Sequence, residues 1–315
     1  MGGNKLVIMG SFVVDLAMKS PALPRRGETI FGGPLTVGPG GKGSNQCIAA
    51  KRAGADVCFL TKLGRDQFAE VALKTYIDEG ISCTHVYQDE THETGSALIM
   101  VENGTGENAI VVSSGACTCI TPDEVASLKP EMTEAGVFLT QFETNMDAVW
   151  QVLRMAKEMG LKTIVNPAPV QQVDHAIYQL IDIITPNETE AEVLTGVAIR
   201  NEADAAAAAE IFISRGVQLA LITLGEKGVF FHTSQDSKLI PGFTVEMVVD
   251  TTGAGDAFNG GFATAIAEGM TLEEAVIFGN AVGALSVTKN GTAPAMPTRE
   301  EIDRFLRRYR VIPVS

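Results

Sequence analysis

The chain has 315 residues, 45% hydrophobic and 20% charged, which is an ordinary globular composition able to bury a large core. Its net charge of −14 argues against a nucleic-acid or anionic-membrane partner, because either would need a basic surface. Five scattered cysteines and four histidines show no ligand or disulfide spacing, so we expect free thiols and no metal site built on these residues.

The first predicted element is a strand at residues 5–10, within an apolar run from Leu6 to Met18. Asp15 interrupts this run, and nothing in it resembles a cleavage site, so it predicts a first strand and no signal peptide. No apolar stretch approaches the ~20 residues that span a bilayer, and we expect a cytoplasmic protein. Asp15 is then expected at the end of the first strand, facing a crevice at the sheet edge.

A glycine-rich segment at residues 38–46 (GPGGKGSNQ) leads into a helical run at residues 47–53. The segment is not a Walker A loop, because Gly43 stands where Ser or Thr should follow the Gly-Lys pair. It does fit the G-x-G-x-x-G pattern, which leaves an NAD-binding oxidoreductase open as an alternative. However, Lys42 and Asn45 carry hydrogen-bonding groups where a pyrophosphate loop prefers small ones. A glycine platform rimmed by these two residues suits a polyhydroxyl ligand better.

Further along the chain, apolar strand-like runs alternate with stretches of helical period. The predicted strands are residues 56–60, 137–140, 163–166, 181–186 and 219–223. The predicted helices include residues 68–79, 146–159, 188–195 and 202–214. This alternation predicts an α/β fold with a mainly parallel sheet and helices on both faces.

Two segments break the alternation. Residues 29–37 predict one strand, and residues 95–102 and 107–113 predict two more joined by a glycine-rich turn at 103–106. None of them has a helix to cover a face, so we expect a small separate sheet over the carboxyl edge of the main sheet. This sheet would form a lid, built from insertions at about 14–40 and 93–115 of a single domain spanning 1–315. Its exposed face could serve as a dimer interface.

Residues 247–249 predict a short strand that runs into small residues and then a helix beginning near Asp256. Because Gly253, Ala254 and Gly255 have little or no side chain, another molecule can approach their backbone N–H groups closely. These donors lie at a helix N-terminus, which favours a negative charge. Asp256 could be a simple helix cap. It is better explained as a carboxylate that faces a hydroxyl attacking a phosphoryl group.

Taken together, these segments resemble the ribokinase-like (PfkB) carbohydrate kinases over essentially the whole chain. Residues 40–46 (GGKGSNQ) resemble the N-terminal sugar-binding signature of that family. Residues 250–256 (DTTGAGD) resemble its C-terminal signature, which holds an anion hole and the catalytic base. Three further segments, at 166–169, 186–190 and 223–228, follow in the order of the family.

The resemblance implies an ATP-dependent phosphotransferase that acts on the primary 5-hydroxyl of a pentose, with D-ribose as the first candidate. It also implies a homodimer joined through the lid. It implies Asp256 as the base, with an anion hole at Gly253, Ala254, Gly255 and Asp256. The residues implied in sugar binding are Asp15, Gly41, Lys42, Gly43, Asn45, Glu143 and Asp256. Those implied in ATP binding are Asn187, Glu190, Thr223, Gly225, Gly228, Gly255 and Asn280.

Two cations are implied in the same way. Glu190 would orient Mg²⁺ through water, although an N-x-x-E sequence taken alone more often caps a helix. A K⁺ ion beside the anion hole would be held mainly by main-chain oxygens, at Asp250 (with its side chain), Thr252, Ser286, Lys289, Gly291 and Ala295. A cation behind the turn would stiffen it and add to its positive potential.

One position departs from the family pattern. Val13 stands where an Asn that contacts the sugar is usual, and a buried hydroxyl left unpaired costs roughly 1–3 kcal/mol. This change could favour 2-deoxy-D-ribose, unless water serves the same hydroxyl. Other PfkB-type sugar kinases, a nucleoside kinase, a sugar-phosphate kinase and a non-catalytic sugar-binding module also stay open. The oxidoreductase is the alternative from a different class.

Overall fold

The computed structural model describes residues 4–105 and 107–309 of the chain. Its strands are β1 Lys5–Met9, β2 Val13–Ser20, β3 Thr36–Gly40, β4 Asp56–Leu63, β5 Val86–Gln88, β6 Thr94–Glu102, β7 Asn108–Gly115, β8 Val137–Gln141, β9 Lys162–Asn166, β10 Ile183–Ile184, β11 Leu219–Thr223, β12 Gly228–Thr233 and β13 Ser237–Pro241. Its α-helices are α1 Lys42–Ala53, α2 Gln67–Asp78, α3 Pro122–Ala126, α4 Lys129–Glu134, α5 Met146–Glu158, α6 Glu188–Thr195, α7 Glu202–Ser214, α8 Ala254–Ala267, α9 Leu272–Ser286 and α10 Arg299–Tyr309.

The main sheet has nine strands in the order β13-β12-β11-β10-β9-β8-β1-β4-β5. All neighbours from β11 to β5 run parallel, and β12 and β13 add an antiparallel edge. A buried hydrophobic cluster lies on each face, one under α1, α2, α8, α9 and α10, the other under α3 to α7. The central strands are buried on both sides, as parallel strands covered by helices usually are. The predicted α/β class with helices on both faces is confirmed.

A second, four-stranded sheet has the order β3-β2-β6-β7. Its β6–β7 hairpin matches the predicted strands to within two residues at each end. Gly106 of the predicted turn lies outside the described residues, as do positions 1–3 and 310–315 of the predicted domain. The strand predicted at 29–37 is wrong, because β3 begins only at Thr36. Gly32, Gly33 and Pro34 explain the error, since Gly and Pro weaken a strand interior.

The N-terminal apolar run is two strands and not one. β1 ends at Met9 and joins the main sheet, whereas β2 begins at Val13 and joins the small sheet. Between them, Gly10 lies so close to α1 that a Cβ on it would be 2.6 Å from Cα of Gly43. Asp15 is therefore not at the end of the first strand. It lies inside β2, where it pairs with Gly38 and Ala97 and projects from the small sheet.

Two other predicted strands need correction. Residues 247–249 form no strand, and Met247 is 65% exposed because no neighbouring strand covers it. The strand predicted at 181–186 is reduced to β10, only Ile183–Ile184. Among the described residues, none of the helices combines the length and the apolar character that crossing a bilayer would require.

Candidate active site

The N-terminal ends of α1 and α8 meet at the carboxyl edge of the main sheet. The two helices approach closely at Gly260, where a Cβ would lie 2.6 Å from both Cβ of Ala49 and the carbonyl oxygen of Gln46. Gly41 precedes α1 with φ of +87°, a conformation that favours glycine, and it makes no side-chain cap of its own to the helix. This packing brings the two glycine-rich segments of the sequence to one cleft.

Asp256, the third residue of α8, is the centre of the cleft and is only 7% exposed. Its Oδ2 accepts a hydrogen bond from Nδ2 of Asn45 at 3.0 Å, and its Oδ1 accepts one from Nε2 of Gln46 at 3.0 Å. Gln46 also donates to Oδ1 of Asn166 at 3.0 Å and accepts from Nε2 of Gln141 at 2.6 Å. Each carboxylate oxygen of Asp256 is thus oriented by one amide donor.

Gln46 was not predicted as a site residue, although it closes the sequence motif that contains Asn45. Thr185 and Asn259 were not predicted either, and they extend the hydrogen-bond network around Asp256. The hydroxyl of Thr185 donates to Oδ1 of Asn259 at 2.6 Å, and Nδ2 of Asn259 donates to the carbonyl of Gly255 at 2.8 Å. The spacing of Asn259 four residues after Gly255 was the available signal, because such residues lie on one helix face.

Two further carboxylates line the cleft. Glu143 accepts the backbone N–H of Lys42 at 2.9 Å and a short hydrogen bond from the hydroxyl of Ser11. Asp15 lies 3.4 Å from the hydroxyl of Thr292. Burial raises the pKa of Asp15 to about 6, with the Thr292 hydrogen bond acting against the shift and the charges of Glu143 and Asp256 adding to it. Asp15, Glu143 and Asp256 therefore share one electrostatic environment.

Lys42, the first residue of α1, balances these acids. Burial acts to lower the pKa of Lys42, but the carboxylates of Asp256, Glu143 and Glu190 outweigh it and the pKa is raised. Glu190, on α6, is also affected by burial and by the charges of this cleft. Burial raises the pKa of Glu190, opposed by the N–H of Asn187 and by the charge of Lys42. The structure thus brings Lys42 and Glu190, predicted for the sugar and nucleotide sides, within electrostatic reach of Asp256.

The turn before α8 presents unpaired N–H donors. Gly253 has φ of +78° and caps the helix without a side-chain hydrogen bond. The N–H of Ala254 donates to the carbonyl of Thr251 at 3.2 Å, so this predicted donor is already used. Within the described chain, no protein acceptor faces the N–H groups of Gly253, Gly255 and Asp256. They lie at a helix N-terminus and together form an anion-binding geometry.

Asp250 ties this turn to the loop after α9. Its Oδ1 accepts the N–H of Thr252 at 2.9 Å and its Oδ2 accepts the N–H of Gly291 at 3.0 Å. Burial acts to raise the pKa of Asp250, but these hydrogen bonds outweigh it and the pKa is lowered, so the carboxylate stays charged. Among the described residues, no hydrogen bond ends on the main-chain oxygens of Asp250, Thr252, Lys289, Gly291 or Ala295, whereas that of Ser286 accepts from Lys289.

The predicted nucleotide residues lie at the start of α6, between the end of β11 and the start of β12, on α8 and on α9. Asn187 and Glu190 form a reciprocal capping box, so the helix-capping interpretation of this motif also holds. Thr223 at the end of β11 is bridged to Asn187. Gly228 has φ of +105° and no room for a side chain, and the amide of Asn280 donates to the carbonyl of Pro241 at 3.2 Å. Gly228 and Asn280 thus also hold the β12–β13 edge in place.

Comparison with known proteins identifies the family of this chain. Residues 4–299 match the model of the pfkB family of carbohydrate kinases. Ribokinase of Haemophilus influenzae is 41% identical over 96% of this chain and 98% of its own. Deoxyribokinase of Salmonella typhi is 32% identical, with the same coverage of both chains. The structure of Arabidopsis thaliana ribokinase complexed with ribose and ATP superposes with a TM-score of 0.89, at 29% identity over 98% of this chain and 99% of that one.

Proposed function

This chain belongs to the pfkB family of carbohydrate kinases, and we propose that it transfers the γ-phosphoryl group of ATP to the primary 5-hydroxyl of D-ribose, giving ribose 5-phosphate. The observation that carries the proposal is the contact of Asn45 and Gln46 with Asp256, which joins two glycine-rich helix N-termini in one cleft. The names of the relatives support the choice of ribose, since one is a ribokinase and another was solved with ribose and ATP.

Asp256 is the proposed base. One hydrogen bond to each oxygen holds the carboxylate in a fixed orientation, and each oxygen keeps a lone pair that can accept the proton of the sugar hydroxyl. Phosphoryl transfer depends mainly on positioning and on charge stabilisation. The free N–H groups of Gly253, Gly255 and Asp256 would receive the charge that develops on the phosphoryl oxygens. Ala254 would contribute only if its turn hydrogen bond were released.

The sugar would lie between the small sheet and the start of α1. Asp15 and Glu143 would accept hydrogen bonds from sugar hydroxyls, and Lys42 and Asn45 would donate them. Gly41 and Gly43 would form the floor of this site. Their proposed role agrees with the lack of room for side chains there, because a Cβ on Gly43 would be 2.5 Å from Cα of Gly10.

The nucleotide would lie on the other side of Asp256, against Asn187, Thr223, Gly225, Gly228, Gly255 and Asn280. For Mg²⁺, Glu190 fits as an oxygen donor near the cleft, with Asn187 orienting its carboxylate. When bound, Mg²⁺ would neutralise phosphate charge. For K⁺, the free main-chain oxygens around the charged Asp250 carboxylate fit a cation, except at Ser286, whose oxygen is already an acceptor.

The small sheet is proposed as a lid and as the dimer interface. Cross-strand register places Leu98 opposite Val111 on one face, and these residues are 56% and 67% exposed. Met100, two residues after Leu98 on the same face of β6, is 38% exposed. Such contiguous apolar surface on a small sheet is typical of an interaction site, and a second copy of the chain is the proposed partner. Sedimentation of the purified protein would show a dimer, and Leu98→Lys would shift it to monomer.

A second candidate substrate is 2-deoxy-D-ribose. Val13 is 4% exposed and sits on the same face of β2 as Asp15, two residues away. Valine offers no hydrogen bond to a sugar hydroxyl, so one contact expected for ribose is lacking. The likeness to a deoxyribokinase is consistent with this candidate.

The deciding experiment is ADP release over ribose, 2-deoxyribose, fructose, tagatose and adenosine, with and without K⁺. We expect one of the two pentoses to give the highest kcat/KM. A higher value for adenosine would indicate a nucleoside kinase, and a higher value for a hexose would indicate another sugar kinase. Sugar binding without ADP release would overturn the proposal in favour of a binding module.

A further inference from the structure

A cluster of three potential metal ligands lies on the opposite side of the main sheet from the cleft. Cys58 lies near the start of β4, His85 immediately precedes β5, and Glu131 lies on α4. Their Sγ, imidazole and carboxylate ligand atoms all lie within 4.8 Å of one another. Cys58 and His85 are buried, and Glu131 is half-buried. The kinase reaction proposed above uses none of these residues.

The hydrogen bonds around His85 determine which ring nitrogen carries the proton. The hydroxyl of Ser127 donates to the carbonyl of Glu124 at 2.7 Å and accepts from the hydroxyl of Tyr87 at 2.7 Å. Because the single proton of Ser127 is used, its contact of 3.1 Å with Nδ1 of His85 makes that nitrogen the donor. Nε2 of the neutral ring then carries a lone pair, held in the orientation that metal-binding histidines need.

Nε2 of His85 is nonetheless without a hydrogen-bond partner in the part of the chain that the structure describes, although the residue is only 8% exposed. A buried polar atom left unpaired costs free energy and needs an explanation. Oε1 of Glu131 lies 3.5 Å away, while Oε2 of the same carboxylate pairs with the ammonium of Lys5 at 2.7 Å. One carboxylate oxygen therefore faces the imidazole and the thiol.

We propose that Cys58, His85 and Glu131 bind a divalent ion of the zinc class, with water in the fourth position. Sulfur, imidazole nitrogen and carboxylate oxygen are the donors that Zn²⁺ prefers, at bonds of about 2.0–2.3 Å. Side-chain movements of about 1 Å would bring all three atoms to that range.

Burial and the charge of Glu131 raise the pKa of Cys58 to about 12, so the thiolate would form only together with the bound cation. On coordination the thiol of Cys58 releases its proton to water, and the resulting thiolate together with Glu131 balances the two positive charges. Lys5 would not be left unpaired, since it also contacts Glu134 at 2.7 Å. The ion would join α4 to β4 and to the edge strand β5, so its expected effect is on stability and not on phosphoryl transfer.

The test uses Co²⁺ as a spectroscopic probe of the metal-free, full-length protein without nucleotide. We expect one equivalent to bind with a thiolate-to-cobalt charge-transfer band, and Zn²⁺ to displace it. Cys58→Ser should abolish the band, and His85→Gln should weaken binding by at least about 10–100-fold, the loss seen for outer-shell partners alone. Cys119→Ser is the matched control, because Cys119 lies beside His92 at 3.5 Å and should leave binding unchanged.

Glu131→Gln keeps the test decisive if the buried variants fold poorly, because Glu131 is half-buried on a surface helix. It should weaken Co²⁺ binding by at least about tenfold while ADP release by the variant stays at the wild-type rate. At the same concentration, added Zn²⁺ should raise the melting temperature of wild type by more than that of this variant. A charge-transfer band that persists in Cys58→Ser, or a wild-type protein that binds no Co²⁺, would overturn the proposal.

Discussion

The amide nitrogen of Asn45 lies 3.0 Å from Oδ2 of Asp256, although 211 residues separate them in the chain. This contact exists because α1 and α8 pack almost backbone to backbone at Gly260. Asn45 belongs to one glycine-rich segment and Asp256 to the other, so the distance measures directly how closely the two segments meet. The proposed sugar and phosphoryl sites therefore share one carboxylate.

Replacement of Asp256 by asparagine tests the proposed base. Asn keeps the shape of the side chain but cannot accept the proton, so we expect kcat to fall by about 10² or more, as for loss of an acid–base group. ATP affinity, measured by calorimetry, should stay near the wild-type value. Asp123→Asn, on the exposed start of α3, is the control and should leave kcat unchanged. Intact turnover in Asp256→Asn would remove Asp256 from the mechanism.

The close approach of the two helices predicts that Gly260→Ala is destabilising. Its Cβ would lie 2.6 Å from Cβ of Ala49, and overpacking of this kind costs about 1–3 kcal/mol. We expect that loss in the free energy of unfolding from urea titrations, with kcat/KM lowered as Asn45 moves away from Asp256. Gly136→Ala, where a Cβ meets nothing within 4 Å, should be near neutral. Equal stability of the two variants would contradict the packing argument.

The sequence predicted the parallel sheet well because its strands are apolar runs that alternate with helical periods. It predicted the α6 and α7 bounds without error, since Asn187 and Asn201 cap these helices through their side chains. It misplaced Asp15, because an apolar run does not reveal where a chain passes from one sheet to another. It also left β5, β12 and β13 unassigned, since short strands at or next to the sheet edges carry weak patterns.

The site was predicted in outline but not in its hydrogen bonding. The family resemblance implied that Asn45 and Asp256 belong to one cleft, whereas Gln46, Thr185 and Asn259 were missed. Their partners lie on other elements, so only the folded chain shows that they are in contact. The same reason hid the unpaired Nε2 of His85, whose neighbours come from β4 and α4.

The raised pKa of Asp15 predicts that the stability of the protein depends on pH. Burial raises the pKa of its carboxyl from 3.8 to about 6, so the folded state holds this proton more tightly than the unfolded state. The resulting stabilisation is present below pH 3.8 and is lost as the pH rises through about 6. Asparagine does not ionise, so Asp15→Asn does not lose stability in this way. We expect the free energy of unfolding of the variant minus that of wild type to be larger at about pH 7.5 than at about pH 4, by up to 2–3 kcal/mol.

The same titration should appear in the kinetics. In the proposed sugar site, protonation of Asp15 below about pH 6 would remove an acceptor for a sugar hydroxyl, so the KM for ribose should rise in wild type. In Asp15→Asn the KM should be high at every pH. Urea unfolding and initial rates at matched pH measure both effects. A pH-independent difference in stability would show that Asp15 does not carry the shifted pKa.

The proposed K⁺ site predicts a specific effect at Asp250. This carboxylate joins Thr252 to Gly291, and without it the carbonyl oxygens around it lose their common orientation. We expect the turnover of Asp250→Ala at saturating KCl to equal that of wild type measured without K⁺. In the measurement without K⁺, choline chloride replaces KCl so that the ionic strength is the same. Asp236→Ala, on the exposed loop after β12, should respond to K⁺ as wild type does. Equal K⁺ activation of Asp250→Ala and wild type would count against the site.

Val13 sets the expected choice between ribose and 2-deoxyribose. Asn at this position would offer a hydrogen bond to a sugar hydroxyl, and such a bond is worth about 1–3 kcal/mol when its loss leaves a buried group unpaired. Val13→Asn should therefore raise the ratio of kcat/KM for ribose to that for 2-deoxyribose by about 5- to 150-fold. Val13→Ala, which removes bulk without adding a polar group, is the control and should leave the ratio within about twofold of wild type. The side chain is buried and Gly95 packs closely against it, so asparagine is chosen because it is similar to valine in size. If the ratio stays constant in Val13→Asn while ADP release continues, residue 13 does not contact the hydroxyl that distinguishes the two sugars.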